Sequence, residues 1–171
     1  MSTLKVNALQ DTSGNSKPFG IEEFDVWYLT NDLSSNGDIT SNLSRYTSAG
    51  GASPLGTGMS QSSGIFTFPS TGKWLVIASP VFQLNGYDNA GIQTNVTTNN
   101  SSYSEHAYAQ DGNNGSGSRA GAATSFSFID VTSTSNVKVK FYVGSLGSSS
   151  ILQGSSTTLY THFVFARIGD T

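Results

Sequence analysis

The chain contains no cysteine, which excludes a disulfide scaffold and thiolate metal sites. Charge is scarce: Asp, Glu, Lys and Arg make up 11% of 171 residues, and the net charge is −3 at pH 7. The eight Lys and Arg are scattered, so there is no footprint for nucleic acid or for an anionic membrane surface. No apolar run approaches the length needed to span a bilayer. The opening MSTLKVNALQ lacks the apolar centre of a signal peptide, which predicts synthesis in a cytoplasm without Sec export. Helical signal is missing too, because no segment joins a 3.6-residue period to helix-forming residues.

Large rings are plentiful. Ten Phe, seven Tyr and two Trp argue against the disorder that low charge and abundant Ser, Thr, Asn and Gly would otherwise suggest. At 18.0 kDa the chain is long enough to bury a core as one domain. Its polar residues then read as the outward faces and loops of an all-β protein. Lys138 and Lys140, for example, alternate with Val137, Val139 and Phe141 and form the solvent side of one strand.

Residues 1–20 read as an arm, in which Leu4, Val6 and Leu9 precede the breaker-rich DTSGNSKPFG. Residues 21–171 form the body. Its first strand is predicted at 24–30 (FDVWYLT), and within 31–63 only 43–47 is expected to pair. Residues 65–68 and 73–84, joined by Pro69-Ser70-Thr71-Gly72, read as neighbouring strands folding back on each other. Residues 91–98 and 102–110 alternate and meet at Asn99-Asn100-Ser101, a hairpin. Residues 111–121 (DGNNGSGSRAG) read as a flexible loop without a core anchor, and strands follow at 122–131, 136–144 and 158–168. About 8–10 antiparallel strands with turn-rich spacing predict a sandwich or jelly roll.

The segments FTFPSTGKWLVIAS, SFSFIDVTSTSNVKVKFYV and YTHFVFARI resemble the trimeric jelly-roll superfamily of tumour necrosis factor and complement-type globular heads. The resemblance spans roughly residues 24–168, although 88–122 follows no motif of it. It implies a jelly roll assembled as a homotrimer. At the other end, MSTLKVNALQDTSGN resembles the opening of structural proteins of marine tailed phages, especially cyanophage fibre and decoration proteins. That resemblance implies an attachment arm that docks on the major capsid protein or another virion protein, and a place on the virion surface.

Strand faces fit a trimer. Thr161, Phe163 and Phe165 share one face, while Tyr160, His162, Val164 and Ala166 share the other; Trp27 and Leu29 oppose Phe24, Val26 and Tyr28. Strands apolar on both faces need cover on both. One face suits the sandwich core and the other a neighbouring subunit, with Trp27, Tyr160, His162 and Val164 as interface candidates. The competing cover for that second face is the 31–63 segment.

Catalytic signal is weak. His106 and His162 fall in predicted strands without triad or metal spacing, and Glu105 points away from its neighbour His106. Asp88, Asp111 and Asp130 are candidate calcium ligands, with the Gly86-Tyr87-Asp88-Asn89 turn the best placed, but the spacing matches no calcium loop. No cofactor is expected. The leading expectation is a non-enzymatic homotrimeric capsid decoration or cement knob. The alternative is a short tail-fibre or receptor-binding head, in which Tyr87, Tyr103 and Tyr108 meet a host surface glycan or protein. A cellular binding module of the complement-head kind is a third class, disfavoured by the absence of a signal peptide and of a collagen-like stalk.

Overall fold

Alternating β-branched and aromatic residues become strands along the body, and no helix occurs among the described residues. The computed structural model describes residues 9–10, 16–17, 20–47 and 53–171. In chain order the strands are β1 (Leu9–Gln10), β2 (Ser16–Lys17), β3 (Phe24–Leu29), β4 (Gly37–Asp38), β5 (Leu43–Arg45), β6 (Ser60–Ser62), β7 (Ile65–Thr67) and β8 (Gly72–Ser79). There follow β9 (Val81–Asn85), β10 (Asn89–Thr97), β11 (Ser104–Gly112), β12 (Ser118–Ala122), β13 (Ser125–Val131), β14 (Lys138–Gly144), β15 (Ile151–Leu152) and β16 (His162–Gly169). Nine of these have five or more residues; the other seven have two or three, too short to leave a period in sequence. In the arm, Leu9 belongs to the β1–β2 pair, and Leu4 and Val6 lie outside the described residues.

Two antiparallel sheets form the body. One runs β13-β8-β16-β3-β5; the other runs β11-β10-β14-β7-β6, with β4 also pairing β14. A three-stranded sheet, β12-β9-β15, stands beside them. The core lies between the two large sheets, where Phe141 of β14 stacks on Phe163 of β16 at 3.9 Å between ring centroids. Phe66 of β7 meets Phe165 at 5.0 Å and takes the edge of Trp27 at 5.4 Å. Each fully buried Phe contributes about 1.5–3 kcal/mol of transfer free energy.

Several expectations are corrected. The Pro69–Gly72 turn does not close a hairpin: β7 pairs β6 and β14, whereas β8 pairs β13 and β16. The turn carries the chain from one layer to the other, and Phe68 and Trp74 pack across it at 5.1 Å. Residues 73–84 are not one strand either. Pro80 has no N–H for the ladder, so β8 ends at Ser79, and Val81 donates its N–H to Thr161 Oγ1 as β9 leaves to pair with β12 and β15.

The polar 111–121 segment is also structured. Asn113 is buried and its amide donates to the carbonyls of Leu84 (3.2 Å) and Gly117 (2.6 Å), after which β12 pairs with β9. Within 31–63, β4 and β6 pair as well as β5. The β10–β11 hairpin forms as expected. Asn99 Oδ1 accepts the N–H groups of Ser101 and Ser102, and Asn100 adopts a left-handed φ of 59°.

The β6–β7 hairpin turns on Ser63 (φ 50°) and Gly64 (φ 78°), the pattern of a type I′ turn. A Cβ on Gly64 would collide with the carbonyl oxygen of Ile39. Gly64→Ala is therefore expected to cost at least about 2 kcal/mol in urea denaturation, because backbone must move. At Gly86 (φ 69°) nothing lies within 4 Å of where a Cβ would stand, so Gly86→Ala should cost only the backbone term of about 1 kcal/mol.

Candidate subunit interface

The first half of strand β13 inverts the usual pattern of burial, while its second half buries Ile129 and Val131 and exposes Asp130. The first half buries Ser125 and Ser127 and points Phe126 and Phe128 outward, 59% and 66% exposed. The two buried hydroxyls have no hydrogen-bond partner among the described residues. At those four positions, serine inside and phenylalanine outside forfeit transfer free energy as a monomer.

The sheet register extends those rings across four strands. One row is Phe126–Ile77–Val164–Val26, and the next is Phe128–Leu75–Ala166–Phe24. With neighbouring strands about 4.8 Å apart, the apolar band is roughly 14 Å wide from β13 to β3. Lys73 and Asp130 form an ion pair along one margin, and Ser79, His162 and Tyr28 line the other. No charged side chain stands in either row.

The far end of the rows is recessed. Ile21, Phe24, Val26, Tyr46, Leu55 and Leu159 line an apolar groove of about 480 Å³. There Phe24 and Leu55 exchange backbone hydrogen bonds of 3.1 and 2.8 Å. The 31–63 segment thus borders the β3 end of the face through Tyr46 and Leu55 without closing the groove, and the β13 end with Phe126 and Phe128 stays exposed.

Of the residues named from sequence, Val164 lies within a row and His162 at its margin, with His162 Nδ1 2.9 Å from the Tyr160 carbonyl oxygen. Tyr160 is 42% exposed just ahead of β16. Trp27 does not share this face. It sits opposite Phe163 on the core side, donates from Nε1 to Asp25 Oδ2 (2.9 Å), and carries the Arg45 guanidinium 5.0 Å from its ring. Phe126, Phe128, Leu75 and Ile77 were not singled out from sequence, and side-chain hydrophobicity would have put the β13 phenylalanines inside, since a period of two separates the faces without ranking them.

The three candidate calcium ligands do not converge. Asp130 pairs with Lys73; Asp88 accepts the N–H groups of Asn89 (2.9 Å) and Gly147 (3.0 Å); Asp111 is gripped through both oxygens by Arg119 Nη1 at 2.9 Å. Among the described residues no three His, Asp or Glu side chains gather as a metal site. The Arg119 hydrogen bond, more than any other cause, holds the Asp111 carboxyl below the usual carboxylate range. A lowered folded pKa gives stability that is full above the unfolded value near 3.9 and lost as pH falls through the folded one. Arg119 is half exposed, so the pair is worth under about 1 kcal/mol. Arg119→Ala is expected to raise the Asp111 pKa in an NMR titration and to leave stability at pH 7 nearly unchanged.

The three candidate ligand tyrosines do not form one surface. Tyr103 lies at the hairpin end of β11, under Lys140 Nζ at 4.6 Å from its ring; burial, and then the charge of Asp38, push its phenol up. Tyr87 is 80% exposed at the opposite end of β10, about 30 Å away along nine-residue strands. Tyr108 lies over Gly91, where a Cβ would meet the phenol and require the half-exposed ring to shift.

No protein-family model matches the chain, and no curated protein matches it in sequence. Solved structures share its fold. Eiger TNF from S. frugiperda superposes with a TM-score of 0.65 at 11% identity, covering 88% of this chain and 95% of that one. Murine APRIL superposes at 0.63 and 10% identity, covering 85% and 98%. The chain is therefore an antiparallel jelly roll of the tumour necrosis factor type.

Proposed function

We propose that this chain is a non-enzymatic virion structural protein: a homotrimeric capsid decoration or cement knob of a tailed phage, held on the virion surface by residues 1–20. The observation that carries the assembly is the outward Phe126–Phe128 pair at the edge of a two-row apolar face. A face this apolar on a folded domain marks an interaction site. Projecting rings at one end and a groove at the other suit head-to-tail contact, which closes into a ring when the rotation allows. The shared fold supports this reading, since the exposed face belongs to one continuous sheet of the jelly roll.

The virion assignment is supported by the MSTLKVNALQDTSGN segment and its likeness to phage structural proteins. Three arms on one trimer would multiply a weak contact with the major capsid protein into firm attachment. Light scattering across a dilution series is expected to give three times the chain mass of 18.0 kDa. Deleting residues 1–20 should leave that mass ratio intact and abolish binding to virions that lack the protein. A full-length monomer would overturn the assembly, and a truncated trimer that still binds would overturn the arm. Copy number on purified virions then separates a capsid knob, present at high copy, from the alternative tail-fibre head, present at low copy.

A further inference from the structure

Away from the apolar face, the β9–β10 turn and the end of β11 enclose a cleft of about 430 Å³. Tyr87, Asp88, Asn89, Gln110, Asp111 and Asn114 line it. Its walls are fixed. Asp88 is held by the N–H groups of Gly147 and Asn89, Asp111 by Arg119, and the buried Asn113 by the carbonyls of Leu84 and Gly117. Asn113 also donates its backbone N–H to the Asp88 carbonyl at 2.7 Å, tying the two sides together.

Against these engaged groups stand three that are not. The side-chain amides of Asn89, Gln110 and Asn114 make no hydrogen bond within the described chain, a property they share with Asn31, Asn42, Asn100 and Asn136 elsewhere, but in the cleft the three line one preformed site. Each free amide offers a donor and an acceptor side by side. Beside them rises Tyr87, 80% exposed, an apolar ring with a polar tip. Most small-ligand sites are apolar with a few placed polar groups; this cleft is polar throughout, with the Tyr87 ring as its one large apolar surface, which suits a polyhydroxylated ligand.

We propose that this cleft binds a neutral saccharide, with Tyr87 stacking on the C–H face of a sugar ring and Asn89, Gln110 and Asn114 hydrogen-bonding its hydroxyls. Paired donors and acceptors match vicinal hydroxyls, which likewise donate and accept. Neutrality follows from charge: two carboxylates stand in the walls, only Asp111 of the two has a cationic partner, and the chain carries −3. An anionic sugar would meet the Asp88 carboxylate without a compensating cation in the cleft.

The test is an array of defined oligosaccharides, neutral and sialylated, probed with the full-length protein, followed by calorimetry with the strongest neutral binder. Tyr87→Ala is expected to weaken binding at least about tenfold, and Asn114→Ala about threefold or more, with melting temperature unchanged. No neutral binder, a preference for sialylated sugars, or binding that survives Tyr87→Ala would each overturn the proposal. Light scattering on the same samples keeps it separate from the assembly. A trimer blind to neutral sugars removes the cleft reading alone, and a monomer that binds them removes the trimer alone.

Discussion

Replacing Asp25 with alanine is expected to destabilise the protein by about 3–5 kcal/mol, the cost of leaving a buried ionic network without its centre. Asp25 is 1% exposed on the inner side of β3. Its Oδ1 accepts from Ser53 Oγ (2.7 Å) and Arg45 Nε (3.0 Å), and its Oδ2 from Met59 N (2.8 Å) and Trp27 Nε1 (2.9 Å). One carboxylate thus ties β3 to β5 and to the 53–59 loop, which also receives the Arg45 guanidinium at the Met59 carbonyl. Removing it strands the Trp27 and Met59 donors and leaves the Arg45 cation partly buried without a counter-charge. Against a total stability of about 5–15 kcal/mol, this is a large share, and the melting temperature should fall by roughly 10 °C. Asp25→Asn keeps the shape but turns one acceptor into a donor facing donors, so it should recover little. A loss below about 1 kcal/mol for Asp25→Ala in urea denaturation would show that the network is dispensable.

The second large effect is on assembly. The double substitution Phe126→Asp, Phe128→Asp should convert a trimer into a monomer of 18.0 kDa. Burying each Phe is worth about 1.5–3 kcal/mol, so losing two per contact weakens association at least about a hundredfold before charge repulsion is counted. Both rings already face solvent in the single chain, so the monomer should keep its far-UV spectrum and cooperative unfolding. His106→Asp on exposed β11, in the other large sheet, is the matched control and should leave the mass at three chains. An aspartate double variant that stays trimeric would place the subunit contact elsewhere.

Much of this architecture is legible in the chain. Alternation of Val137, Val139 and Phe141 with Lys138 and Lys140 marks β14 with its faces correctly assigned, and all three apolar residues are buried. The Asn99-Asn100 turn announces the β10–β11 hairpin, because asparagine tolerates a left-handed backbone and caps its own turn. The polar 111–121 segment concealed β12, because Ser118–Ala122 has no apolar period and is held by the ladder with β9.

What the sequence determined by itself is the list of two-faced strands and the turns that separate them, since both depend on residues close in the chain. Two matters were left to the tertiary structure. The first is sheet membership: FTFPSTGKW reads equally well as a hairpin or as a crossing between layers, and only non-local pairing with β14 and β16 chooses the crossing. The second is which face of β13 is inside. A period of two separates Ser125 and Ser127 from Phe126 and Phe128 but is symmetric to exchanging them. The packing of the whole sandwich turned the serines inward and left the phenylalanines exposed.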